Sequence, residues 1–117
     1  MQRSPGDRVM ESTIPKPELI KAIQTASRTG EVVYGAKEVK KLVLHGKAKL
    51  VILAANAPPE VKRNILYYSK LSGIPVVIFD GTNIELGGVI GRPHSVSVLA
   101  ILEPGQSKIL DLVKVTS

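Results

Sequence analysis

The chain has 117 residues, 44% of them hydrophobic and 22% charged, which suits one ordinary globular domain with a single core. Sixteen Lys and Arg against ten Asp and Glu leave a net charge of +6, which suggests a polyanionic partner such as nucleic acid or a membrane surface; general solubility is the bland alternative, and the concentration of the excess between Lys37 and Arg63 favours nucleic acid. The absence of cysteine excludes a disulfide framework, a cysteine nucleophile and thiolate metal sites; one Phe, three Tyr and no Trp argue against broad stacking of single-stranded bases; and no apolar run approaches the roughly 20 residues needed to cross a bilayer.

Residues 1–15 are rich in Ser, Pro, Gly and charge and read as a flexible N-terminal tail, with no secretory signal and hence a cytoplasmic location. The domain is expected over residues 16–117. From Pro17, Leu19, Ile20, Ile23 and Ala26 recur at helical spacing as far as Gly30. Glu31 to Tyr34 makes a short strand that breaks at Gly35 into a basic helix from Ala36 to His45, with Ala36, Val39 and Val43 on one face and Gly46 as its stop. Leu50 to Ala55 is a continuous apolar run without alternation, the pattern of a central strand covered on both sides. Asn56-Ala57-Pro58-Pro59-Glu60 opens a third helix with Val61, Ile65, Tyr68 and Leu71 inward, ending at Gly73. Ile74 to Phe79 is a third strand, closed by Asp80-Gly81. Thr82-Asn83-Ile84-Glu85 has the spacing of a capping box and predicts a short helix that stops by Gly91. Ser95 to Leu102 reads as a fourth strand, and Glu103-Pro104-Gly105 turns it into a final helix holding Ile109, Leu110 and Val113. The order αβαβαβαβα predicts an α/β chain folded as a three-layer α/β/α sandwich around a four-stranded mixed sheet.

In such a fold the loops that leave the carboxyl ends of parallel strands gather on one edge. If the first three strands are parallel, three suggestive segments converge there: Tyr34-Gly35-Ala36-Lys37, Ala55-Asn56-Ala57-Pro58, and the region after Asp80-Gly81 with its glycine-rich continuation Leu86 to His94. A helix that starts at Gly35 leaves backbone N–H groups unpaired at the positive end of its dipole, and Lys37, Lys40 and Lys41 add side-chain charge. Each feature also has a bland reading. Gly35 serves equally as a helix cap, the lysines as a solvated face, and Asn56 as a side-chain cap for the third helix. Lys62 and Arg63, in that helix's first turns, oppose its dipole, which a polyanion would offset. No catalytic or metal site is expected. His45 and His94 lack ligand-type neighbours, the carboxylates Glu60, Asp80, Glu85 and Glu103 have local explanations, and no nucleophile elbow, Walker loop or dinucleotide fingerprint follows a strand.

The segments Tyr34-Gly35-Ala36-Lys37, Ala48 to Pro58, Tyr67-Tyr68 to Val76, Glu85-Leu86-Gly87, Gly91-Arg92-Pro93-His94 and Ala100 to Gly105 together resemble the ribosomal L-thirty-e family, especially its archaeal form. The likeness runs from about Leu19 to Leu110, with the motifs in order and in spacing. It implies the fold of the wider L-seven-Ae kink-turn RNA-binding superfamily, no enzymatic activity and no cofactor. The implied function is that of a structural constituent of the large ribosomal subunit, monomeric off the ribosome, binding a kink-turn or internal-loop stretch of ribosomal RNA, with other ribosomal proteins as neighbours and no membrane contact. Carried over motif by motif, the implied RNA contacts are Gly35, Lys37, Glu38 and Lys41, then Asn56 and Arg63, then Leu86, Gly87, Val89, Gly91, Arg92 and His94. The chain departs from the pattern twice: Lys37 stands where the wider kink-turn binders use an asparagine to read a sheared guanine, and His94 where eukaryotic relatives place a stacking aromatic. Two other readings stay open, a kink-turn protein of a different ribonucleoprotein and a small-molecule or nucleotide-binding α/β enzyme using the same edge.

Overall fold

The computed structural model describes residues 9–11, 15–92 and 94–116. In chain order its elements are β1 (Val9–Glu11), α1 (Lys16–Thr29), β2 (Glu31–Tyr34), α2 (Ala36–Leu44), β3 (Leu50–Ala54), α3 (Pro59–Ser72), β4 (Val76–Phe79), α4 (Asn83–Val89), β5 (Val98–Glu103) and α5 (Ile109–Thr116). All nine elements expected from Pro17 onward are present, in the expected order. The β1 strand comes from the segment read as tail and adds a short fifth strand at the edge of the expected four. Residues 1–8 and 12–14, Pro93 and Ser117, and the side chains of residues 9–11 and 113–116, Val113 among them, lie outside the described residues.

The sheet order is β1-β4-β3-β5-β2. β1 and β3 flank β4 in parallel, while β5 runs antiparallel to both β3 and β2. It follows that β2, β3 and β4 all point the same way, and their carboxyl ends share one edge. β5, inserted between β3 and β2 in the opposite sense, begins at that same edge.

All five residues of β3 are buried because helices cover both faces of the sheet. Leu50, Ile52 and Ala54 meet Leu19, Ile23 and Ala26 of α1, Leu86 of α4 and Ile109 of α5 on one side. Val51 and Leu53 meet Val39 and Val43 of α2 and Ile65 of α3 on the other. The period of two along β3 thus feeds two separate cores, each fully buried aliphatic side chain contributing roughly 1.5–3 kcal/mol.

One inward residue was misassigned. Leu71 is 65% exposed, because the buried stripe of α3 runs through Ile65 and Ser69, four residues apart, and turns Leu71 outward. Ser69 takes the core position instead, and among the described residues its hydroxyl has no hydrogen-bond partner. Since an unsatisfied buried hydroxyl costs about 1–3 kcal/mol, Ser69→Ala is expected to raise unfolding stability by about 1 kcal/mol in denaturant titration. A loss of stability would refute that account.

Candidate nucleic-acid interface

Three segments meet at the carboxyl edge of the sheet. The first is the turn from β2 into α2. Gly35 adopts φ 104° and ψ 134°, which side-chain-bearing residues rarely tolerate, and serves as the N-cap of α2. Its N–H donates to the carbonyl of Val98 at 3.0 Å, and its own carbonyl accepts from Val39 at 2.9 Å. A Cβ at Gly35 would meet nothing within 4 Å, so glycine is required by the backbone angle and the outer side of the turn is open. Among the described residues no side chain caps the start of α2. Its exposed first turn therefore offers backbone donors and the positive end of the helix dipole to solvent.

Lys37, Glu38, Lys40 and Lys41 are all exposed. Glu38 and Lys41 approach to only 4.0 Å with both side chains 60% exposed, a pair of little energetic weight. Lys40 is drawn aside toward α3, its Nζ 5.0 Å from the centre of the Tyr68 ring. Among the described residues no carboxylate pairs with Lys37.

The second segment leaves β3. Here the expected cap is replaced by a different one. Pro58 occupies the N-cap of α3 and no side chain caps that helix. The Asn56 side chain turns instead to α4, its Oδ1 accepting from the Asn83 N–H at 2.7 Å and its Nδ2 donating to Asn83 Oδ1 at 3.2 Å. Because the Asn83 N–H needs an acceptor, the amide orientation of Asn56 is set. Lys62 reaches back to donate to the Ala55 carbonyl at 3.3 Å. Arg63, the next residue of α3, is exposed, and no hydrogen bond or ion pair among the described residues ties it to the other two segments.

The third segment is α4 and the return to β5. Thr82 caps α4 by accepting from the Glu85 N–H at 3.1 Å. The reciprocal half of the capping box is absent because Glu85 pairs with Lys16 of α1 at 3.0 Å. Leu86, Gly87 and Val89 lie in the helix itself, and the loop begins after it. Leu86 and Gly87 are buried, so Leu86 anchors this wall from beneath and does not present its side chain at the surface. Gly87 packs directly under the carbonyl of His94, where a Cβ would overlap it. The Arg92 N–H donates to the Gly87 carbonyl at 2.8 Å and the Gly91 N–H to that of Gly88 at 3.1 Å. Gly91, Arg92 and His94 are exposed.

These three segments form one surface. The Arg92 guanidinium lies 5.3 Å from the centre of the Tyr34 ring, joining the third segment to the first, and the Asn83 carbonyl accepts from the Val96 N–H at 2.9 Å. Asn83, tied at once to Asn56 and to the segment before β5, was missed as a candidate site residue. So was Ile84, a large apolar side chain left 74% exposed beside it. The signal was available, since both lie in the connection that follows β4, as Gly35 and Asn56 lie in those that follow β2 and β3. Among the described residues no group of three or more His, Asp or Glu stands together to hold a metal ion.

A family model described as the ribosomal protein L7Ae/L30e/S12e/Gadd45 family matches residues 18–111. The chain belongs to that family. Within the L7Ae/L30e/S12e/Gadd45 family, the large ribosomal subunit protein eL30 of Pyrobaculum islandicum is 53% identical over 97 residues, spanning 83% of this chain and 96% of that protein. The proteins of the same name from Methanocaldococcus jannaschii and Aeropyrum pernix are 47% and 44% identical, with 80% and 78% of this chain matched to 86% and 91% of theirs. A solved structure of a protein with unknown function from Bacillus halodurans C superposes with a TM-score of 0.71 at 28% identity, covering 82% of this chain and 96% of that one.

Proposed function

We propose that this chain is a structural constituent of the large ribosomal subunit, located on cytoplasmic ribosomes, and that its carboxyl edge grips a kinked or internal-loop stretch of ribosomal RNA. The observation that carries this reading is the joining of three strand-end segments, through Asn56 to Asn83, Gly35 to Val98 and Arg92 to Tyr34, into one basic surface beside an uncapped helix start. The eL30 names of its relatives support the same assignment.

In this reading the open turn at Gly35 and the side chain of Lys37 hold phosphate oxygens, with Lys41 and Arg63 adding charge on the flanks. Asn56 offers amide groups to base edges, and exposed Ile84 supplies apolar contact to a base splayed from the helix. Arg92 and His94 close the third side with planar cations or rings against which a base or ribose packs. Leu86 and Gly87 act by holding that wall in place. The RNA-binding unit is residues 16–117, acting as a monomer with one chain per RNA, and it needs no cofactor and catalyses no reaction.

The direct test is titration of the purified chain against a kink-turn or ribosomal internal-loop RNA and against a plain duplex of equal length. At least about tenfold tighter binding to the looped RNA is expected, equivalent to about 1.4 kcal/mol, and affinity should fall with salt as counterions are released. Equal affinity for both RNAs would overturn the proposal.

A further inference from the structure

We propose that the RNA interface continues past the edge into the groove between α1 and the end of α4, which takes the phosphate–ribose backbone of the strand leaving the loop beyond Arg92. This rests on the RNA-binding reading above and adds a second, separate stretch of contact to it.

The groove encloses about 290 Å³ between Gln24, Ser27 and Arg28 of α1 and the run from Gly88 to Gly91. Its lining carries one cation and no carboxylate. Among the described residues, no hydrogen bond or ion pair engages the side chains of Gln24, Ser27 or Arg28. Lys21, exposed one turn before Gln24 and Thr25, shares the helix face of Arg28 two turns on. Idle donors and a cation around a concavity suit an anionic backbone.

Gly88 supplies the second observation. Its neighbour Gly87 is explained by the His94 carbonyl packed against it, whereas a Cβ at Gly88 would meet nothing within 4 Å. Glycine is a poor helix former, and neither crowding nor a left-handed backbone requires it here. Gly91, which its left-handed backbone at φ 73° requires, also has nothing within 4 Å of a Cβ and leaves the far end of the groove open. An exposed helical glycine kept without an internal reason, as at Gly88, lets another backbone approach closely. The continuity is covalent as well, since Gly91 leads straight into Arg92, whose guanidinium sits over Tyr34 at the edge.

The test uses the full chain with two RNAs that share one internal loop, the first trimmed to the loop and its closing pairs, the second with the stems extended. Wild type should bind the extended RNA more tightly. Arg28→Glu should weaken binding to the extended RNA about tenfold while changing the trimmed one less than about twofold. Lys47→Glu, the same charge change in the exposed turn before β3, should leave the preference for the extended RNA intact. Gly88→Ala should weaken binding to the extended RNA about threefold or more while its melting temperature stays the same or rises. Equal losses on both RNAs, or unchanged binding of the extended RNA by both Arg28→Glu and Gly88→Ala, would overturn the groove assignment. Failure of the underlying reading would look different, with wild type showing no preference for either looped RNA over plain duplex.

Discussion

Gly87→Ala is expected to lower unfolding stability by roughly 1–3 kcal/mol and to weaken RNA binding in the same variant. The added methyl would run into the His94 carbonyl; a Cβ is fixed by its own backbone and the atom it meets is backbone, so no side-chain rotation relieves the clash. Leu86, the neighbour of Gly87, is fully buried in the core, which prevents the helix from retreating inward. The segment carrying His94 must therefore move outward. That displacement strains the 2.8 Å bond from Arg92 to the Gly87 carbonyl and lifts the Arg92 guanidinium from Tyr34. One substitution thus destabilises the fold and disassembles one side of the proposed cleft. For a domain near this size, each kcal/mol corresponds to about 4–8 °C in melting temperature, so a thermal scan resolves the effect. Gly88→Ala, one residue on and facing open space, is the internal control. Equal melting temperatures for the two variants would refute the close-approach account.

Lys37→Ala combined with Asn56→Ala should produce the largest loss of RNA affinity. Lys37 is exposed, and no described carboxylate pairs with it, so its removal should leave stability within about 0.5 kcal/mol. Its effect should appear as weaker binding to every RNA sequence and a salt dependence shallower by about one counterion. Asn56→Ala acts on two levels. It strips the Asn83 N–H of its acceptor at the start of α4, which should cost about 0.5–2 kcal/mol of stability. It also removes the amide offered to a base, for which about 1–3 kcal/mol of binding is the usual scale. Together the pair should lower affinity by about two orders of magnitude. The stability component is separable by working well below the melting temperature and at saturating fold. Should both variants bind the looped RNA as wild type does, the site is misplaced even if the protein is an RNA binder.

The same residue shows why part of the site was readable in advance and part was not. Asn56 stood out because it follows a strand and precedes a proline-led helix, a local pattern. Its actual partner, Asn83, is 27 residues away, and the choice between capping α3 and capping α4 depends on how β3 and β4 lie side by side. Likewise the Glu85 carboxylate was expected to fold back on its own helix start, yet Lys16, distant in sequence, takes it.

The amino-acid sequence by itself determined the succession of helices and strands, the doubly covered central strand at Leu50–Ala54, and the breaks at Gly35 and Gly73, because periodicity and backbone preference act over a few residues. It also carried the motifs by which the family is recognised. Tertiary structure decided the rest. The insertion of β5 antiparallel between β3 and β2 brings the segment before it to the edge where β2, β3 and β4 end, and only then do Gly35, Asn56, Asn83 and Arg92 share a surface. Strand order, the outward turn of Leu71 and the addition of β1 beside β4 are settled by packing between elements remote in sequence, which no local pattern specifies.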